Sequence, residues 1–73
     1  MSHIVNSKET NKGDHAKYVD HNGSIHDAVI KDINKRHGYH YADLEVTIDG
    51  KSTLVDAPHN ASPVNHSWNH AEE

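Results

Sequence analysis

Seventy-three residues with a net charge of −4, nine histidines and no cysteine make at most one small domain, and exclude disulfides, a thiolate metal cage and a thiol nucleophile. The charge is uneven: residues 1–38 carry six basic and five acidic side chains, whereas residues 39–73 set Lys51 against six carboxylates. That second half has no basic face to meet phosphate, so proteins rather than nucleic acids are the expected partners.

No run approaches the ~18 apolar residues of a membrane span, and "MSHIVNSKETNKGDH" lacks the marks of a signal peptide. The expectation is a soluble intracellular protein without membrane association.

Residues 1–13 are polar and aperiodic, and read as a flexible arm ahead of a single domain at 14–73. "HAKYVD" (15–20) is short and alternating, which suits a strand, and "HNGS" (21–24) is a turn because Asn-Gly accepts positive φ. The next segment, "SIHDAVIKDINKRHG", supports two readings. As a helix over 24–37, Ser24 caps it, Asp27 completes a capping box, and Ile25, Val29, Ile30 and Ile33 line one face. As a strand, Ala28 and Ile30 face one way, and a bulge near Lys31-Asp32 is needed to bring Ile33 to the same side. Periodicity favours the helix and β-branched content favours the strand; the residues alone leave both open.

"YADLEVTID" (41–49) is unambiguous. Tyr41, Asp43, Glu45 and Thr47 fall on one face, and Ala42, Leu44, Val46 and Ile48 on the other, the period of a half-buried strand. Asp49-Gly50 is a two-residue hairpin turn, "KSTLVDA" (51–57) returns as the partner strand, and Pro58 closes it. A proline-containing loop leads to Trp68, which is placed to seal a core short of large side chains.

The candidate sites are few. Histidines paired by spacing, His37 with His40 and His66 with His70, are weak metal candidates, since zinc needs three or four ligands and no third is specified. Protonation of all nine histidines moves the formal charge from −4 to +5, which raises the idea of a pH-dependent interaction. His66-Ser67 lacks a nucleophile elbow or oxyanion loop, and Asp43 and Glu45 share the solvated strand face, so no enzymatic activity and no cofactor are expected. "RHGYHY" is the preferred contact patch, a basic and aromatic loop with Arg36, His37, Tyr39, His40 and Tyr41 as partner-contact residues.

"GDHAKYVD", followed by a glycine loop and "DAVIKDI", resembles the opening of small SH3-like barrels of the KOW type. More narrowly, Tyr18-Val19, Ala28-Val29-Ile30, Leu44 with Val46, Pro58 and Ser67-Trp68 before His70 and Glu72 resemble small phage and prophage proteins of this architecture. Ala71 stands where those proteins usually carry proline. The resemblance implies a mainly β fold, an SH3-like barrel of about five strands with a flexible N-terminal arm. The alternative is α+β, with one helix at 24–37 packed on a hairpin. It further implies a non-enzymatic protein-binding module in the host cytoplasm, modulating a host or phage factor or pairing with itself as an oligomer. A minor or decorating virion protein is the alternative, and a metal- or nucleic-acid-binding module the third reading.

Overall fold

The computed structural model describes residues 3–62 and 64–71; Glu72, part of the resemblance, lies outside them. Among the described residues the chain is mainly β, with seven strands and no helix. These are β1 (His3–Val5), β2 (Lys8–Thr10), β3 (His15–Val19), β4 (Ile25–Arg36), β5 (Tyr39–Ile48), β6 (Lys51–Pro58) and β7 (Ser67–His70). β1 and β2 form a separate hairpin, and the other five make one antiparallel sheet in the order β6-β5-β4-β3-β7.

The segment that could have been a helix is the longest strand. Its first half pairs with β3 and its second half with β5, so it belongs to both halves of a curled sheet. The register slips between Ile30 and Asp32, and the bulge turns Ile33 to the inside, where it is buried with Ala28 and Ile30. The helical caps lose because a helix would satisfy only its own backbone, whereas this strand also satisfies those of β3 and β5.

Two-residue turns with both central φ angles positive connect the meander: His37-Gly38 between β4 and β5, and Asp49-Gly50 between β5 and β6. This is the geometry that follows the twist of paired strands. Between β3 and β4 the Asp20 carboxylate holds the turn, accepting from the backbone N–H of Asn22 and Ser24 at 2.8 and 2.9 Å. His26 Nε2 lies 2.8 Å from its other oxygen. The His26 hydrogen bond, with the backbone donors, holds the Asp20 carboxyl below its usual range.

β7 lies beside β3, with Tyr18 opposite Trp68. Past the end of β6, His59 makes a parallel bridge to Trp68, and Asn60 N–H donates to the Trp68 carbonyl at 3.0 Å. The two edges of the sheet therefore meet at one point. The result is a curled five-stranded sheet with its seam drawn together at that bridge.

The core is built from Leu44, Val46, Ile30, Ile33, Val5, Tyr18 and Trp68 around four alanines, Ala16, Ala28, Ala42 and Ala57. The alternation expected over 41–49 holds: Ala42, Leu44 and Val46 are fully buried and Ile48 packs at the rim.

The N-terminal arm departs from expectation. From His3 to Thr10 it is a hairpin rather than a flexible lead-in, turning at Asn6-Ser7 with both φ angles positive. Val5 and Thr10 are buried against the sheet. Asn11–Asp14 then docks on the long strand, with Gly13 N–H donating to Ile30 O at 2.7 Å and Ile30 N–H to Asp14 O at 2.9 Å.

A chain of this length has a total stability of roughly 4–10 kcal/mol. Leu44→Ala, which empties a fully buried site between β4 and β6, is expected to remove about 3 kcal/mol of it. Urea denaturation checks this as a lowered midpoint with an unchanged slope.

Candidate functional site

The contact patch read from the sequence is split by the fold. Because His37-Gly38 is a tight turn and Tyr39 already begins β5, strand alternation sorts the patch between two faces. Arg36 pairs with Tyr39 and Asn34 with Tyr41, which puts Arg36, Tyr39 and Tyr41 together on the outer face of β4-β5-β6. His37 is exposed at the turn tip. His40 is corrected: it belongs to the opposite face, and its carbonyl accepts from Trp68 Nε1–H at 3.2 Å and His59 N–H at 2.9 Å.

On the outer face the Arg36 guanidinium lies 4.3 Å from the Tyr41 ring centroid. It also donates to Asn34 Oδ1 at 2.8 Å and to the Asp56 carboxylate. The hydrogen bond to Asp56 raises the Arg36 pKa further. The guanidinium is thus held in place between the ring, whose face attracts a cation, and the carboxylate. Tyr39 is 57% and Leu54 69% exposed, leaving a large aromatic and a large aliphatic side chain in solvent on one face.

Three aspartates run straight across this face. Asp32 is opposite Asp43, and Asp43 is opposite Asp56. Like charges in cross-strand register repel, and cations flank the row: Lys12 lies 3.7 Å from Asp32, Lys31 3.7 Å from Glu45, and Arg36 beside Asp56. A shallow depression of about 590 Å³ lies here, between Lys31, Asp43, Glu45 and Leu54.

The other face carries a grouping that the sequence did not announce. His3, His40, His59 and His70, from β1, β5, the β6-β7 loop and β7, gather where the N-terminal hairpin meets the sheet. His3 and His40 have ring centroids 6.3 Å apart, and His59 and His70 5.5 Å apart. The buried Thr10 hydroxyl donates to Lys8 O at 3.1 Å and so accepts from His70 Nε2–H at 2.8 Å. Burial pushes the His40 pKa down, reinforced by Lys35, His3 and His59. Burial also lowers that of His70, with His59 and Lys8 adding to the effect and Asp14 opposing it.

The spacing pairs considered for metal do not come together. His66 stacks on His21 at 4.7 Å, with the Tyr18 hydroxyl 3.0 Å from its Nδ1, whereas His70 faces His59 and Thr10. His37 and His40 lie at a turn tip and on the inner face. Among the described residues no three His, Cys, Asp or Glu side chains converge as a metal site. Ser67 is buried, and its hydroxyl donates to Val64 O at 2.7 Å, which makes it a turn donor.

No family model, curated protein or solved structure matches the chain. Only the short stretches around Tyr18, Ala28–Ile30, Leu44 and Trp68 therefore stand behind the resemblance to phage SH3-like proteins. Among the described residues no helix is long and apolar enough to cross a membrane.

A pH dependence follows from His40 and His70. Their folded-state pKa values lie below the ordinary histidine value of 6.5, so the unfolded chain takes up protons first as pH falls. Their contribution to stability is complete above that value and is lost as pH drops through the folded-state values. Thermal unfolding followed by circular dichroism should show a melting temperature that falls from about pH 7 to about pH 5. His70→Gln retains a donor to Thr10 without a titrating ring, and is expected to reduce that fall.

Proposed function

We propose that this protein is a non-enzymatic protein-binding module that meets its partner through the outer face of β4-β5-β6. The single observation that carries the reading is the joint exposure there of Tyr39 and Leu54, beside a guanidinium already fixed between Tyr41 and Asp56. Aromatic and arginine side chains are the residue types that dominate binding energy at protein interfaces. Holding Arg36 in advance lowers the entropy lost on association. The aspartate row on the same face repels phosphate, which favours a protein partner over nucleic acid.

The resemblance to phage and prophage proteins supports a role in an infected or lysogenic host cell, as an accessory protein acting on a host or phage factor. The virion is the other location in keeping with that resemblance. Mass spectrometry of purified particles separates the two, because a decorating protein is present there at high copy number.

The face is tested by a photo-crosslinking amino acid placed in turn at positions 39, 54 and 25 of the chain in the cells that express it. Ile25 is also an exposed large apolar residue, at 59%, but it stands at the start of β4, where that strand pairs with β3 and not with β5, and serves as the control. A discrete protein adduct from positions 39 and 54, absent from 25, is the expected result. Equal adducts from all three, or none, overturn the reading. The double substitution Tyr39→Ser with Leu54→Ser should abolish partner co-purification while leaving stability within about 0.5 kcal/mol per site, as for surface changes generally.

A further inference from the structure

β6 is an end strand of the sheet, eight residues long, paired with β5 along one side only. Among the described residues, the backbone of 51–57 makes no hydrogen bond beyond that pairing. The bridge that closes the seam comes from His59, past the end of the strand. Half of the backbone donors and acceptors of this edge therefore point outward, as a template for another strand. Soluble proteins usually guard such edges with charge, proline or a short strand. Here Lys51 and Pro58 guard the ends and Asp56 is the one charge between them, while the middle carries Leu54, the most exposed large apolar side chain described.

The chemistry of the occupant follows from register. Ser52, Leu54 and Asp56 alternate onto the outer face, with Leu54 opposite Glu45 and Asp56 opposite Asp43. The row Asp32-Asp43-Asp56 thus runs perpendicular to the strands and ends at the open edge. The next place in that row belongs to whatever pairs with β6. A lysine or arginine there sits at the cross-strand spacing of about 5 Å from Asp56, on the side away from Arg36, and adds a second cation to offset the repulsion along the row. A second copy of this chain brings the same Asp56 and a net charge of −4, which adds to it.

We propose that the open edge of β6 takes up an extended, basic segment of a partner protein as an additional strand. The proposal rests on the protein-binding reading above and names the partner's chemistry: alternating residues with lysine or arginine on the outer side, adding main-chain hydrogen bonds to side-chain pairing.

The probe is a capped eight-residue peptide alternating valine and lysine, with a valine–glutamate peptide as its counterpart, added to the isotope-labelled full chain. The lysine peptide is expected to shift the amides of Lys51–Ala57 and slow their hydrogen exchange, and the glutamate peptide to leave them unchanged. Asp56→Lys, checked for amide dispersion, should weaken the lysine peptide about tenfold and gain binding of the glutamate peptide, a change equivalent to one surface charge contact or slightly more. Failure of the lysine peptide to bind overturns the proposal. Binding that shifts Tyr39 and Tyr41 but leaves exchange of β6 unchanged overturns the edge while keeping the protein-binding face. Protection of β6 without peptide, together with a concentration-dependent dimer in sedimentation, overturns the basic segment in favour of a second copy. Peptide uptake at β6 without a cross-linked adduct from position 39 in cells keeps the edge and removes the face.

Discussion

Everything in this fold is arranged around one side chain, Trp68. It is fully buried, its indole N–H is satisfied by the His40 carbonyl of β5, and its backbone pairs with Tyr18 on one side and His59 on the other. A single residue thus joins β3, β5 and the segment beyond β6. The four alanines on the inner faces are its counterpart: Ala16 opposite Ala28, and Ala42 opposite Ala57. Small side chains in cross-strand pairs let the sheet curl tightly enough to enclose one large ring, and a core without phenylalanine or cysteine has little else to fill that volume.

Once the sheet is curled, its two sides acquire different chemistry from the same strands. Inside β5, alternate residues are apolar up to His40, where the hairpin of β1 and β2 covers the end of the core and half-buries polar rings with it. Outside β5, the alternate residues are Tyr39, Tyr41, Asp43 and Glu45. The covering hairpin is held by Val5, Thr10 and imidazole contacts rather than by ladder bonds to the sheet, so protonation of those imidazoles bears directly on its attachment.

The sequence carried the sheet in unequal measure. The alternation over Tyr41–Ile48 and the Asp49-Gly50 turn were legible, because each depends on neighbours a few residues away, whereas the bulge beside Asp32 could be named only as a condition of the strand reading, with the helix still open. The His37-Gly38 turn was not read as one, since histidine in a positive-φ position lacks the Asn or Asp signature; reading it as a loop is what left His40 grouped with Tyr39 and Tyr41. The N-terminal hairpin was hidden for a similar reason: Asn6-Ser7 has no glycine, and Val5 is its one large buried side chain. The gathering of His3, His40, His59 and His70 had no local signal at all, because only the strand order brings residues so far apart in sequence to one place.

The pairing of Tyr18 with Trp68 also sets the order in which the fold can assemble. The β4-β5 and β5-β6 hairpins close over two-residue turns and involve contacts nearby in sequence, whereas the β3-β7 ladder joins residues fifty positions apart. Loop closure of that span must come before the core gains its tryptophan, and ladders of such high contact order form on the slow end of the two-state range. Without β7 the sheet has an open edge at β3 as well as at β6 and an alanine-lined hollow in place of the indole. The short segment Ser67–His70 is thus what shields one side of the sheet from wrong strand partners.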